Sequence, residues 1–594
     1  MLISALNDYY DILEQKGAIP PEGLSAQKVS HRIMLNADGT IDSIEDIREQ
    51  KTDKKGKIYY EMRQINLPKR TEKPGIDFNI IEHRPLYIFG LNYDKKTGGF
   101  SAEDNTDKAK KSHECFVKAN LEFTEGMTSE IVTAYRNFMQ KWNPANETDN
   151  EQLLKIAKEY SPAYFCFALA GHSENALHSL NGEIMQKLRK NINTPETPDG
   201  VCSVSGREDK IARIHDKIKG IKGGQSTGGS LVCFNSSAEE SYGKSQSYNS
   251  SISETVMRRY TAALNTLIAD RRHKMYVDEL TVVFWAMSKE DDDKETDLIM
   301  SMLGGAETDD AELNDIIWNA VHELSNGRET NLKELNIDEN VIFYIAGLAP
   351  NVTRISQKFL YRDKFGKIFN NAAGHQADML IEGSKGQIPL WRIIAELKAP
   401  KGGNENVPPP LIAGIFGAIM DGTKYPDQLL ETVLRRVKID KNINYVRGGI
   451  VKACLNRKKR INKKTEEFKM ALDKDCKNEG YLCGRLFAVL ENVQGAALGR
   501  NLNRTIKDSY FSSACSNPAS VFPKLVVLAQ NHLSKIKSTS EGAFINFDKL
   551  IGEITDKLGT GFPNTLSLDS QGAFALGYYQ QHQDFFRTNK NNEE

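Results

Sequence analysis

Residues 426–437 read Pro-Asp-Gln-Leu-Leu-Glu-Thr-Val-Leu-Arg-Arg-Val, and from this stretch onward the sequence carries the spacing of helices. Proline is favoured at the start of a helix, and the apolar residues that follow recur at helical intervals, which places them on one face. They are Leu429, Leu430, Val433, Leu434 and Val437. Similar stripes continue to the C-terminus between prolines and glycines, so we predict a helical bundle over residues 470–594.

The chain before this stretch mixes helical and strand-like patterns. Leu2 to Leu13 predicts a helix, whereas short apolar runs rich in β-branched and aromatic residues predict strands. The predicted strands are residues 32–35, 59–70, 86–91, 281–285, 341–348 and 352–362. The expected fold class is α+β, with a mixed α/β N-terminal and central region followed by an all-α C-terminal helical bundle. The predicted domains are a mixed domain (1–195), a central α/β region (196–407), a basic helical segment (408–469) and the bundle (470–594).

The composition is that of a neutral protein without an obvious membrane span. Its 594 residues include 78 basic and 79 acidic side chains, for a formal net charge of -1. No long apolar run occurs and the N-terminus lacks the basic start of a signal peptide, so we predict a cytoplasmic protein without a membrane partner. The eight cysteines form no Cys-x-x-Cys pair, and we predict neither a metal site nor a cofactor. Any nucleic-acid surface must therefore come from local clusters of cations.

The strongest local charge lies in residues 431–469. Thirteen basic residues minus four acidic residues give +9 over this segment. Such a cluster favours contact with nucleic-acid phosphates, although a solvated helical face would give the same pattern. The candidates for contact with nucleic acid are Arg435, Arg436, Arg457, Lys458, Lys459 and Arg460, with Arg485, Arg500, Arg504 and Lys507 in the bundle.

A second candidate is the stretch Lys219-Gly-Ile-Lys-Gly-Gly-Gln-Ser-Thr-Gly-Gly229, here called the Gly/Lys loop. It does not fit a nucleotide-binding P-loop, because Gln225 stands where that motif needs lysine and Lys219 where it needs glycine. Glycines instead let a backbone approach a polyanion, and polar side chains can bond phosphates or base edges. A flexible surface loop is the alternative interpretation. The candidates for contact with phosphates or bases are Lys219, Lys222, Gln225 and Asn235, with Lys69 and Arg70 as weaker ones.

One pattern favours an enzyme. Asp378 is followed by Glu396-Leu-Lys398, and Leu390 to Ile394 before it resembles a core strand. Some metal-dependent nucleases hold Mg²⁺ with an Asp and a Glu-x-Lys pair on adjacent strands, where the lysine steadies the attacking water. The pattern is short, so the nuclease stands as an alternative to a non-catalytic protein.

Several motifs occur in a fixed order along the chain. They include Cys202–Gly206, Ala212–Ser226, Val232–Asn235, Glu240–Lys244, Gly347–Asn351, Pro408–Leu411, Ile443–Arg447, Lys452–Arg457 and Gln571–Tyr579. Together they resemble the large subunit of the type I-C CRISPR Cascade complex, a member of the Csd family. The resemblance covers essentially the whole chain, and no single motif is specific alone.

The resemblance implies a non-catalytic subunit of an RNA-guided antiviral complex. Such a subunit recognises the protospacer-adjacent motif on double-stranded DNA, opens the duplex, stabilises the R-loop and recruits a helicase–nuclease. The resemblance therefore implies contact with duplex DNA for the candidates Lys219, Lys222, Gln225 and Asn235, and more weakly for Lys69 and Arg70. It implies contact with a displaced strand or a heteroduplex for the candidates of the basic segment and the bundle. Base pairing with the crRNA then reads the sequence, while the protein reads a short tag and the backbone. The implied partners are crRNA, target DNA, the crRNA-handle-binding subunit, the backbone subunits and a small subunit. A purely architectural subunit, whose basic segments meet only RNA or protein, is a further alternative.

The resemblance also implies that the small subunit is made from an internal start within the same gene. Met470 is the last methionine of the chain and follows the basic segment directly. We therefore expect residues 470–594 to exist as a separate polypeptide as well.

Overall fold

The computed structural model describes residues 1–21, 23–52, 58–68, 76, 78–102, 108–177, 182–191, 198–289, 294–304, 317–323, 337–400, 406–463, 466–499, 503–559 and 561–590. Backbone contacts divide the chain into two compact units. The N-terminal unit contains residues 7–213 and 240–262, and the C-terminal unit contains residues 1–6, 214–239 and 263–594. Helices α1 (Leu2–Gln15) and α7 (Glu254–Ala269) have residues in both. The four domain boundaries expected from the sequence stay a prediction.

The N-terminal unit is built around a four-stranded sheet of order β10-β9-β2-β3, in which β2 and β9 run parallel. The unit also contains the two-stranded ladders β1–β6, β4–β5, β7–β8 and β11–β12. The strands are β1 Leu24–Val29, β2 His31–Leu35, β3 Ile41–Asp46, β4 Glu49–Thr52, β5 Ile58–Glu61, β6 Arg63–Pro68, β7 Asn92–Asp94, β8 Gly99–Ser101, β9 Phe165–Leu169, β10 His172–Ala176, β11 Asp199–Val201 and β12 Glu208–Lys210. The helices are α2 Pro85–Phe89, α3 Lys108–Phe123, α4 Glu130–Lys141, α5 Glu151–Lys155 and α6 Gly182–Asn191, with 3-10 turns at Pro144–Asn146 and Gln246–Ser250.

The apolar pattern predicted some of these elements and missed others. The helix at Leu2–Gln15 and the strand ending at Leu35 before the turn at Gly39 are confirmed. The strand predicted over residues 86–91 is wrong, because the chain forms helix α2 there. Pro85 occupies the start of that helix and Gly90, at φ 65°, caps its end in the left-handed conformation. These two terminal signals outweigh the strand propensity of the apolar run between them.

The C-terminal unit contains an antiparallel sheet of order β13-β14-β15-β16, and helices follow it. Strand β14 is buried along its whole length, and the predicted strands at 281–285, 341–348 and 352–362 are confirmed. The strands are β13 Lys274–Val277, β14 Leu280–Ala286, β15 Ile342–Asn351 and β16 Arg354–Lys364. Two further features are a 3-10 turn at Ser237–Glu239 and a π-helical turn at Met300–Gly304.

From Phe365 onward the described residues form helices and connecting loops only, so the predicted α+β class with a helical C-terminal region is confirmed. The apolar face expected on residues 429–437 is fully buried. The helices are α8 Lys294–Ile299, α9 (described residues 317–323), α10 Phe365–Met379, α11 Leu390–Leu397, α12 Pro409–Met420, α13 Asp427–Asp440, α14 Tyr445–Ile461, α15 Glu479–Leu498, α16 Ile506–Ser516, α17 Pro518–Thr539, α18 Glu541–Leu558 and α19 Leu568–Lys590.

The core strand predicted at Leu390 to Ile394 is wrong, because this run begins helix α11. Its buried residues recur at intervals of three and four, which is the spacing of a helix face rather than the alternation of a strand. All eight cysteines of the chain are free thiols, and five of them are buried. Within the described residues no helix combines the length and the apolar character that a membrane crossing needs.

Helices α15 and α19 approach so closely that three glycines are required at their contact. A Cβ atom on Gly480 would lie 2.3 Å from the Ser570 carbonyl oxygen, and one on Gly484 would lie 1.9 Å from that of Phe574. A Cβ atom on Gly577 would lie 2.2 Å from the Tyr481 carbonyl oxygen. The backbone cannot yield at such points without separating the two helices, so these positions fix the geometry of the bundle.

We expect Gly484→Ala to destabilise the bundle by about 1–3 kcal/mol, because the added methyl group overlaps the α19 backbone. Gly495→Ala in the same helix is the matched control, since a Cβ atom there meets nothing within 4 Å. Alanine at that position should be neutral or stabilising by up to about 1 kcal/mol. Urea denaturation followed by circular dichroism measures both, and equal effects of the two substitutions would contradict the close helix contact.

Candidate nucleic-acid interface

The Gly/Lys loop is fastened to the C-terminal unit at both ends. Ile218 and Gly229 exchange backbone hydrogen bonds of 2.8 and 3.0 Å, which close the loop at its base. The side chain of Asn265 on α7 accepts a bond of 2.9 Å from the Lys219 amide. Further along, the Lys222 amide donates to the Thr281 hydroxyl of β14 at 3.0 Å. The backbone of this loop is therefore held on the sheet.

Two glycines in the loop have positions that other residues could not occupy. Gly220 has φ 80°, and a Cβ atom on it would lie 2.8 Å from a methyl carbon of Ile268. Gly228 has φ 87°, and a Cβ atom there would lie 2.6 Å from the Ile218 carbonyl oxygen. Glycine is needed at both points because of the left-handed backbone and the close neighbours. The glycines thus shape a defined loop on the sheet.

The side chains predicted to contact duplex DNA point outward from this loop. Lys219, Lys222 and Gln225 are exposed, and neither lysine forms an ion pair with a described residue. Asn235 is also exposed, and its backbone N–H donates to a Glu239 carboxylate oxygen at 2.8 Å. That carboxylate accepts two bonds, of 2.6 and 2.8 Å, from the Arg354 guanidinium of β16. The structure therefore places the four predicted residues on one segment with two cations available for an external anion.

Sequence analysis missed an aromatic residue beside this loop. Tyr276 on β13 is 43% exposed, and the ammonium groups of Lys222 and Lys274 each lie 5.7 Å from its ring centroid. A signal was present, since the residues just before it read Arg271-Arg-His-Lys274. A basic run that ends in an aromatic residue is typical of surfaces that bind single-stranded nucleic acid.

Most cations of the +9 segment are paired within the fold. Lys458 donates to Asp569 of α19 at 3.0 Å, and the resulting ion pair raises the pKa of that lysine. Lys459 donates to the Glu466 carbonyl oxygen at 2.7 Å. Asp569 lies outside the +9 segment and the Glu466 acceptor is a backbone carbonyl, so a count of the charges in that segment includes neither contact.

Arg457 is buried and donates hydrogen bonds to several internal acceptors. It is 3% exposed, and its guanidinium donates to Asp378 at 2.7 Å and to the carbonyl oxygens of Ala418 and Thr423. The second Asp378 oxygen accepts a bond of 2.9 Å from Arg460, which also pairs with Glu467. Arg457 is therefore a structural residue in this fold, and its burial argues against the predicted contact with a displaced strand.

The remaining candidates for the displaced strand fall into two groups, those that are buried or paired within the fold and those that are exposed. Arg485 is 2% exposed and donates to Gln581 at 3.1 Å, so its predicted contact with nucleic acid is also opposed by burial. Burial lowers the pKa of Lys507, and Arg436 pairs with Asp440 one turn away. Two of these predicted cations, Arg435 and Arg504, are exposed and form no ion pair with a described residue. The predicted candidates Lys69, Arg70 and Arg500 lie outside the described residues.

The three residues of the nuclease alternative do not meet. Asp378 pairs with Arg457, whereas Glu396 pairs with Arg447 at 2.8 Å. Arg447 and Arg457 are ten positions apart on α14, which corresponds to about 15 Å along a helix. Lys398 instead pairs with Asp278. Each carboxylate is neutralised by a different arginine, so the arrangement does not fit two carboxylates that share one metal ion.

In the N-terminal unit, one group of side chains has the composition of a metal site. Ligand atoms of His31, Asp46 and Glu159 lie within 4.8 Å of one another. The guanidinium of Arg48, however, lies 2.6 Å from a carboxylate oxygen of Asp46 and 2.6 Å from one of Glu159. Burial is the main cause that lowers the pKa of His31. The arginine already supplies the positive charge that a metal ion would bring.

Residues 6–586 match the family described as CRISPR-associated protein (Cas_Csd1). The chain belongs to the Csd1 family of CRISPR-associated proteins. This match confirms the resemblance to the Cascade large subunit that the sequence motifs indicated. No curated protein matches the chain.

Membership in the Csd1 family indicates the kind of complex in which these surfaces act. The family is a structural subunit of Cascade and not a known enzyme, and it acts together with crRNA and other Cas subunits. In this Csd1 protein the sites that resembled catalysis are internal ion pairs, whereas unpaired cations project from the Gly/Lys loop.

We expect Asp378→Ala in this Csd1 protein to destabilise the C-terminal unit by about 3–5 kcal/mol, since it leaves the buried Arg457 without its carboxylate. The control is Glu467→Ala, which removes the other partner of the half-exposed Arg460 and should cost about 0–1 kcal/mol. Thermal unfolding of the two purified variants measures the difference. Similar small losses for both would show that the Asp378 ion pair does not hold the fold.

Proposed function

We propose that this protein is the non-catalytic DNA-binding subunit of a type I-C Cascade complex. In this role it recognises the protospacer-adjacent motif through the Gly/Lys loop, opens the duplex and stabilises the R-loop. The single observation that carries the proposal is the fastened loop that presents Lys219 and Lys222 without carboxylate partners among the described residues. The guide RNA and the partner subunits in this proposal follow from membership in the Csd1 family.

The energetics of the loop support this assignment. A lysine that binds phosphate gives most affinity when its backbone is already fixed, since less conformational entropy is lost on binding. The Gly/Lys loop is fixed by Asn265 and Thr281, whereas its lysine side chains stay exposed. Gln225 lies between the lysines and Asn235 in sequence and carries an amide that can bond a base edge. The loop thus combines groups for backbone contact with a group for base contact.

For the displaced strand, we propose a smaller set than the sequence indicated. Arg435 and Arg504 are exposed cations without an ion pair to a described residue, so they can reach a phosphate. Contacts by Lys458, Lys459 and Arg460 would require these side chains to exchange internal partners. Recruitment of the helicase–nuclease after duplex opening and a location in the cytoplasm also belong to this proposal.

We expect the double variant Lys219→Ala, Lys222→Ala to weaken binding of the assembled complex to a guide-matched duplex. Each lost phosphate contact should reduce the salt slope by about 0.9, hence by about 1.8 for the pair. Lys385→Ala is the matched control, because Lys385 is exposed in the same unit but lies outside the proposed surfaces. Binding titrations at several salt concentrations measure the slope. An unchanged affinity and slope in the double variant would overturn the assignment of the loop.

We also propose that residues 470–594 serve as a separately made small subunit. The core of this bundle draws its fully buried residues from within the bundle, with Val437 as the one exception among described residues. Met470 lies in the connection between α14 and α15 and is 54% exposed. A chain that begins there would therefore keep an almost complete core.

We expect expression of the intact gene with a C-terminal tag to yield a short tagged fragment besides the full chain. Met470→Leu should abolish the fragment and leave the full-length protein in place, since the exposed side chain tolerates the change. Mass spectrometry of the fragment identifies its first residue. Absence of a fragment from the intact gene would contradict the proposal, and a different first residue would relocate the start.

A further inference from the structure

A cleft of about 510 Å³ opens in the C-terminal unit beside strand β13. This volume lies within the range of about 300–1,000 Å³ that small-ligand sites occupy. Its described walls are Arg271, Lys274, Met275, Tyr276, Met300, Gly304 and Trp391. Two basic and two large aromatic side chains therefore meet here, and no acidic residue is among these walls.

Local structure forces both aromatic rings outward. Strand β13 directs Met275 and Val277 into the core, so the alternation of the strand turns Tyr276 to the surface. Helix α11 buries Leu390 and four later residues, which leaves Trp391 on its other face with 49% of its surface exposed. Neither ring stacks on another described aromatic ring. The exposed part of each ring is therefore available to a planar ligand.

The cations around the cleft match a phosphate group. Arg271 is exposed and forms no ion pair with a described residue. Lys274 donates to the Ile268 carbonyl oxygen, and its ammonium group lies 5.7 Å from the Tyr276 ring centroid. A stacking surface together with cations is the combination that binds single-stranded nucleic acid, where bases stack on rings and phosphates meet the cations.

Tyr276 also connects the cleft to the Gly/Lys loop. Lys222 of that loop lies 5.7 Å from the same ring that lines the cleft. A strand whose backbone meets Lys222 would thus pass the mouth of the cleft. Opening a duplex costs base stacking, and a ring that stacks on a released base would recover part of it.

We propose that this cleft binds an unpaired DNA nucleotide, with the base on Tyr276 and Trp391 and the phosphate on Arg271 and Lys274. This inference rests on the proposed function, because it assigns the cleft to a strand of the duplex that the Gly/Lys loop holds. It adds a site for the opened state of the DNA, whereas the loop lysines contact the duplex backbone.

The test compares binding of a short oligothymidylate and of a duplex to the full chain. We expect Tyr276→Ala, Trp391→Ala to weaken oligothymidylate binding by about 5- to 150-fold, the effect of losing the stacking of one base. Its salt slope should stay unchanged, because stacking releases no counterions. Trp318→Ala is the matched control, since Trp318 is 53% exposed outside the cleft. The single variant Trp391→Phe should keep most of the binding of the unaltered chain, because phenylalanine can also stack on a base.

Fluorescence gives a second readout that does not depend on affinity. Of the four tryptophans, Trp142 and Trp285 are buried, so in a Trp318→Phe background Trp391 is the exposed emitter. Oligothymidylate should quench this emission if a base stacks on the indole ring. Both aromatic side chains are exposed, so the variants should keep the unfolding midpoint of the unaltered chain.

The outcomes separate the two proposals. Duplex binding that depends on Lys219 and Lys222, together with oligothymidylate binding unaffected by the ring substitutions, would overturn the cleft and leave the proposed function standing. Absence of binding to either DNA would overturn both. If the ring substitutions weakened binding of oligouridylate but not of oligothymidylate, the cleft would be assigned to RNA, which would contradict its assignment to DNA. Loss of subunit assembly with unchanged DNA binding would make the cleft a protein contact and likewise overturn it.

Discussion

The buried ion pair between Arg457 and Asp378 holds the helical part of this chain together. A charge in a protein interior costs several kcal/mol unless it is paired and its hydrogen bonds are satisfied. Here the carboxylate of α10 accepts from two arginines of α14, and Arg457 also donates to the carbonyl oxygens of Ala418 and Thr423. At the other end of α14 the ratio is reversed, because the single guanidinium of Arg447 pairs with two carboxylates, those of Glu396 and Asp440. Helix α14 is thus fixed at both ends by charges that its neighbours neutralise.

The same network explains what could and could not be predicted from the sequence. Apolar periodicity depends on residues a few positions apart, so the buried face of α13 and the strands β14 to β16 could be predicted. The role of Arg457 depends on Asp378, 79 positions earlier, and no local pattern contains that partner. Glu396 and Lys398 resembled a catalytic pair for the same reason, since their structural partners Arg447 and Asp278 are distant in sequence.

The Gly/Lys loop shows the converse case, in which local composition indicated a loop with exposed cations. Gly220 and Gly228 occupy left-handed positions against close neighbours, and the lysines of the loop stay exposed because no described carboxylate approaches them. The sequence could not indicate that Tyr276 lies beside Lys222, because strand pairing brings them together. A protein of net charge -1 can thus offer a polyanion a favourable surface when its other cations are bound internally.

The C-terminal bundle carries two apolar surfaces with different consequences. One is its own core, which the close contact of α15 and α19 fixes through Gly484 and Gly577. The other belongs to the main core of the unit, where residues such as Leu576 and Tyr579 of α19 share a cluster with Leu455 of α14. A free copy of the bundle would keep the first surface and expose the second to water. Since exposed apolar area costs about 25 cal/mol per Å², such a copy is most stable where another apolar face replaces α14. The fold therefore favours a separately made bundle that associates with a partner surface over one that remains alone.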